Sequence, residues 1–491
     1  MTGTGRQAFF SRRPSTASPA TVLPMCLVLV CLALVLPAHA ADGASGDESI
    51  TLVLAGGRLI DGFGGAPVEN AGVLIAGERI AAAGPLHSLK VPDGVRTIDT
   101  NGMTMLPGLW ESHGHLFHVG EADPGAFQQR FADRLPIIMQ AVARVSVEAG
   151  ITAYRDFCTS CAAMAKGWRS PLHEAQLELK RQILAGEMPG PRLYLSGPIL
   201  GQAASDGGRG NHFKVATRAE ARRAVRELVD MAVDNVFVGA NIWDVELLRS
   251  IVEASHAAGL GVDAESRHVR ATTALLEAGA DRIHVLFTAD ALAGNSDEEL
   301  RALIRGHRPT ASGPSANILR GPWYLSTLPM RQAYVDAGQF PEILDHPRFR
   351  ELLPADIHAD LRANWANYSA IPWGIGAGER VEVARRKLER FIEAGGREQL
   401  IAATDVGAPL NFHTPIPRQL RNFVEAGLTP MEAIQSATLR PAQMQGVDRQ
   451  LGTVSAGKFA DIIVVDGDPL QDITVLEHRL VRVVMNGRVV K

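Results

Sequence analysis

Two closely spaced histidines are the first residues in this chain that could do chemistry. The stretch Leu106-Pro-Gly-Leu-Trp-Glu-Ser-His-Gly-His115 is an apolar run that ends in His113-Gly114-His115. In an extended strand alternate side chains share a face, so His113 and His115 point the same way with only Gly114 between them. Two imidazoles on one face at a strand end can hold one divalent metal. Nearly three hundred residues later another apolar run ends in Thr404-Asp405, which puts a carboxylate at a second strand end.

The elements between them decide whether these groups meet. Apolar strands are expected at the run into His113 and at 150–154, 191–195, 235–238, 259–262, 280–285, 323–325 and 399–403, eight in all. Amphipathic helical stretches separate them, as at 218–233, 244–258 and 269–278, the last stopped by Gly279. Eight alternating units predict an α/β fold, a closed (β/α)8 TIM-type barrel over 106–444, rather than a doubly wound sheet. The first and last strands of such a barrel are neighbours, and its chemistry sits at the carboxyl ends of the strands. His113, His115 and Asp405 then converge.

Residues 48–105 and 445–491 read instead as short strands and turns, with a hairpin signal at Asn486-Gly487. They predict a small β-sandwich domain formed from both termini. Residues 287–375 are too long for one strand-to-helix connection and hold three of the six Trp and three of the five Tyr. An aromatic insertion at the active face fits a lid or substrate wall. The spacing of Phe349, Leu352 and Leu353 fits a peripheral helical hairpin with its own small core equally well.

Composition is that of a globular protein, 46% apolar and 21% charged, with no basic cluster. Residues 1–40 read as a cleaved export signal: Arg6, Arg12 and Arg13 precede an apolar run over 22–36, and Ala38-His39-Ala40 gives the cleavage site. The run is short for a membrane span and carries Pro24, so no stable span is expected in the mature chain. Without those residues 46 basic groups face 53 acidic ones, an acidic balance that argues against a nucleic-acid partner. The expected location is periplasmic or secreted. There Cys158 and Cys161 are expected to form a short-range structural disulfide, since no second pair completes a four-sulfur metal site. A homo-oligomer is left open.

Pro107-Gly108 before His113-Gly-His115, Ala403-Thr-Asp405, Gly150-Ile-Thr-Ala-Tyr-Arg-Asp156 and Gly457-Lys-Phe-Ala-Asp461-Ile-Ile-Val-Val-Asp466 together resemble the amidohydrolase superfamily. The likeness is to its imidazolonepropionase-like and Xaa-Pro dipeptidase-like branch, over roughly residues 50–285 and 395–491. The resemblance implies a metal-dependent hydrolase of C–N bonds acting on a small-molecule or peptide-like substrate. It implies His113 and His115 as the first-strand metal pair, and Asp405 as both ligand and catalytic proton acceptor. The chain departs from the pattern elsewhere. Where the family often has a carboxylated Lys on strand four, Phe237 stands. The strand-five His falls on Glu265, and the strand-six His on Val285. His284 lies one residue earlier and, by alternation, on the helix-facing side. The expectation is one divalent ion, zinc in character, held by His113, His115, Asp405 and Glu265. The alternative is a degenerate barrel that binds a ligand without turnover.

Overall fold

In the computed structural model the described residues are 49–121, 123–157, 171–202, 213–239, 242, 244–285, 287, 295–305, 322–337, 350–351, 353–365, 376–407 and 416–491. Residues 1–40, where an export signal is expected, and Cys158, Cys161, Phe349, Leu352 and much of the insertion lie outside them.

Eight parallel strands form a ring: Leu109–Gly114, Ile151–Asp156, Arg192–Leu195, Asn235–Val238, Gly261–Glu265, Arg282–His284, Trp323–Ser326 and Leu400–Ala402. The first three pair with one another, and the fourth to eighth form the second run. The third and fourth are tied by Asp234 N–H donating to the Leu195 carbonyl at 2.7 Å. The ring closes where Asp405 N–H donates to the His113 carbonyl at 2.8 Å and His115 N–H to the Val406 carbonyl at 2.9 Å. This is the TIM-type arrangement, with helices such as Arg218–Asp230, Val245–Ala257 and Ala377–Glu393 in the connections. Two of the helix starts show how local sequence sets the boundaries. Thr217 and Glu220 form a capping box, and Asp244 caps Val245–Ala257.

Strands from both ends of the chain join in one sheet outside the ring. Leu480–Met485, Ile462–Val465, Thr104–Pro107, Ile50–Leu59, Val68–Ala76 and Arg79–Pro85 follow one another along it. One face is a core of its own, with Leu52, Leu54, Val73, Ile75, Ile462, Val464 and Val484 buried together. Residues of the other face, Leu106, Ile463, Val465 and Val483, belong to the main core of the barrel. The alternation of period two thus gives Thr104–Pro107, Ile462–Val465 and Leu480–Met485 one side to each core.

Within the insertion, Leu353, Ile357 and Leu361 are buried in the main core and not in a separate one. Ile357 and Leu361, four apart, lie on one stripe of Ala355–Trp365, and Leu353 lies just before its start. Asp356 and Asp360 of that helix pair with Arg134 and Arg130, which follow the first barrel strand.

Candidate active site

His113 and His115 end the first barrel strand and Asp405 follows the eighth. Their ligand atoms all lie within 4.8 Å of one another, and among the described residues they form a group able to hold a metal ion. His115 Nε2 lies 3.0 Å from Asp405 Oδ1, and His113 Nε2 lies 3.6 Å from the same oxygen. The backbone is arranged for this. Asp405 has φ +57°, a left-handed conformation uncommon for any residue but Gly, Asn or Asp. Gly407, at φ +94°, lets the chain pass so near that a Cβ there would stand 2.7 Å from the His115 carbonyl oxygen. At Gly114 a Cβ would collide with the Tyr154 hydroxyl.

Groups behind these residues hold the His115 ring and the backbones of both strand ends in place. His115 Nδ1 lies 2.7 Å from the Phe157 carbonyl oxygen. A carbonyl only accepts, so Nδ1 carries the hydrogen and, in the neutral ring, Nε2 carries the lone pair toward Asp405. Glu111 ties the two strands together. Its carboxyl accepts the N–H of His113 at 2.9 Å and of Thr404 at 3.1 Å, and it meets the Thr404 hydroxyl at 2.5 Å. Burial pushes that carboxyl up to about 8. Asp156 Oδ1 accepts the Leu116 N–H at 2.9 Å and fixes the turn after His115.

Burial opposes charge on both histidines, with different outcomes. It drives His113 well below the usual histidine value. For His115 the hydrogen bond and charge of Asp405 overcome burial and raise it. Burial likewise opposes the Asp405 carboxylate, but His113 and His115 overcome it and hold the group down to about 2.

Glu265 is not part of this cluster. It ends the fifth strand, and Arg267 holds its Oε1 through Nε at 3.0 Å and a terminal nitrogen at 2.7 Å. Phe237, at the position of the family's lysine, is buried inside the ring. Its ring centroid is 4.9 Å from Phe157 and 5.5 Å from His284. Hydrocarbon fills the space beside the triad on that side.

The expected helix-facing position of His284 is overturned. The sixth strand pairs with the fifth so that Arg282 lies opposite Asp263 and His284 opposite Glu265. Arg282 and His284 therefore face the interior, while Ile283 faces the helices. His284 Nδ1 lies 2.6 Å from His113 Nδ1, and its Nε2 lies 2.7 Å from Asp263 Oδ1. Arg155 donates to both Asp263 oxygens at 2.9 and 2.8 Å, and Arg282 to one at 3.0 Å. The first strand meets the sixth and the second meets the fifth; these are not neighbours in the ring, so they meet across its interior. Sequence reasoning missed Glu111, Arg155, Asp156, Asp263 and Arg282. The available signal was charge inside otherwise apolar strands, since charges are seldom fully buried without a partner.

A parallel eight-stranded barrel with two imidazoles and a carboxylate converging at its carboxyl ends defines the class, a hydrolase-type barrel with a group able to hold a metal ion. A sequence profile of the Amidohydrolase family matches residues 104–490, and the chain belongs to that family. The chain is similar to an adenine deaminase of Mesorhizobium japonicum, with 21% identity over 460 residues. That match covers 92% of this chain and 60% of the relative, so the chain spans less than two thirds of that protein's length. Among solved structures, a Xaa-Pro dipeptidase with bound methionine in the active site aligns over 89% of this chain and 99% of its own, at TM-score 0.65 and 20% identity. An A. niger ochratoxinase aligns over 91% and 96%, at TM-score 0.63 and 22% identity. Both share the fold with this chain.

Proposed function

We propose that the protein is an exported, metal-dependent hydrolase that opens an amide-type C–N bond of a small-molecule or peptide-like substrate. The observation that carries this reading is the convergence of His113, His115 and Asp405 within 4.8 Å at the carboxyl ends of the first and last strands. Export is supported by the basic, apolar and Ala-x-Ala segments of residues 1–40.

The donor set fits a metal of zinc type. It offers imidazole nitrogen and carboxylate oxygen and leaves a coordination position for substrate. In the neutral His115 ring the Phe157 carbonyl turns the lone pair inward, to Nε2. One ion is favoured over two, because Phe237 and Phe157 occupy the space where a lysine-bridged second ion would need oxygen ligands. When bound, the ion supplies positive charge that polarises a carbonyl and acidifies a water. Asp405, ionised across the neutral range, accepts the proton of the attacking water and delivers it to the leaving amine. Glu111 holds the His113 and Thr404 backbones in register during this transfer.

The test pairs elemental analysis of the mature protein with a screen of dipeptides and N-acyl amino acids, with and without chelator. Stoichiometric metal and chelator-sensitive turnover that His115→Ala abolishes are the expected results. Product analysis separates hydrolysis to an acid and an amine from deamination, which releases ammonia. The aromatic filling at Phe237 favours one rival, a barrel that binds its ligand without turnover. Tight binding that His115→Ala leaves unchanged, with no metal and no product, would establish that rival.

A further inference from the structure

We infer that His284 and Asp263 are positioning residues for the metal centre: they fix which nitrogen of His113 carries a hydrogen and so which one is offered to the ion. The inference rests on the metal-centre reading above and adds residues that touch neither metal nor substrate.

The geometry leaves one arrangement. Asp263 accepts from Arg155 at 2.8 and 2.9 Å and from Arg282 at 3.0 Å, and it is fully buried. A carboxylate held by two guanidinium groups is ionised and only accepts. His284 Nε2, 2.7 Å from Asp263 Oδ1, must therefore carry a hydrogen. The two Nδ1 atoms of His284 and His113 are 2.6 Å apart, which leaves room for one hydrogen between them.

That hydrogen belongs to His113. If it sat on His284, that ring would carry hydrogens on both nitrogens and be a cation. Three buried cations would then share one carboxylate in a site closed to water, and His284 is fully buried. With His284 neutral, its Nδ1 accepts, His113 Nδ1–H donates, and the lone pair of the neutral His113 ring lies on Nε2. That is the nitrogen facing Asp405. The polarity of the chain thus runs from two arginines through Asp263 and His284 to the ligand atom. His115 is set the same way by a shorter route, through the Phe157 carbonyl.

Two substitutions separate this polarity from simple packing. A glutamine carries one donor and one acceptor on a side chain able to span the same gap, so His284→Gln preserves both hydrogen bonds. His284→Leu fills the space and preserves neither. The measurements use full-length mature protein stripped with chelator: Zn²⁺ titration against a competing chelator, and long-range ¹⁵N–¹H spectra of the histidine rings. The expected spectrum of the stripped wild type shows His113 with hydrogen on Nδ1 and a bare Nε2. Zn²⁺ affinity is expected to fall roughly 10–100-fold in His284→Leu and to stay near wild type in His284→Gln. Equal affinities in all three proteins, or a wild-type His113 with its hydrogen on Nε2, overturn the inference. If wild type takes up no Zn²⁺, the metal reading fails separately, and the ring spectra of the wild type and His284→Leu still decide whether His284 sets the tautomer.

Discussion

Asp156→Asn should stabilise the protein at alkaline pH. Asp156 ends the second barrel strand, and burial pushes its carboxyl up to about 7 against hydrogen bonds from Leu116 and Gln176. The direction of the linkage follows from that rise. Stability from the neutral carboxyl is fully present below the unfolded value near 3.8 and is lost as pH rises through the folded value near 7. Three pH units at about 1.4 kcal/mol each amount to on the order of 4 kcal/mol. Asparagine keeps an acceptor for the Leu116 N–H. A half-turn of the Gln176 amide then brings its Oε1, now without a hydrogen-bond partner, to the new N–H₂. The charge goes and the contacts stay. The variant should therefore gain up to about 4 kcal/mol at pH 8 and less than half of that at pH 5. For roughly 440 folded residues this is a rise of about 4 °C in Tm. Scanning calorimetry of the chelator-stripped protein at the two pH values measures it. A variant that melts below wild type at pH 8, or a gap that does not grow with pH, would refute the reasoning.

Proton competition at His115 makes metal binding pH-dependent. Because Asp405 raises His115 above the usual histidine value, Zn²⁺ affinity should climb about tenfold per pH unit below that raised value and then level off. Competition titrations from pH 5.5 to 8.5 would show a flat profile if His115 is not a ligand. Asp405→Asn should weaken Zn²⁺ binding by at least about 100-fold and remove turnover, as read by metal content and product assay. Gly407→Ala should cost about 1–3 kcal/mol in thermal denaturation. It sets a Cβ at φ +94° against the His115 carbonyl oxygen and displaces the ligand; an unchanged melting point together with unchanged Zn²⁺ affinity would contradict that account.

The ring of strands and the three-residue centre were legible in the sequence because each depends on short-range pattern. Apolar runs of strand length alternate with helical periods, and His113-Gly-His115 and Thr404-Asp405 stand at the ends of such runs. Closure of a barrel then brings its two ends together whatever the sequence separation. Glu265 shows the limit of that reasoning. Its place at a strand end was legible, but the pull of Arg267 two residues on was settled only by side-chain geometry. His284 shows a second limit. Strand alternation tells which residues share a face, but not which face is interior when the interior is polar. Arg282-Ile-His284 reads as a strand with its apolar residue inward, and the structure turns it the other way.

What the sequence alone determined, then, was the order of elements, the three residues that converge at the strand ends and the filling of the fourth-strand position by Phe237. What only the tertiary structure decided was the pairing of charges inside the ring. Arg155, Asp263, Arg282 and His284 come from three strands, and each is tolerable in the core only because the others are there. Mutual desolvation of that kind is a property of positions in space, and no local pattern in the chain encodes it.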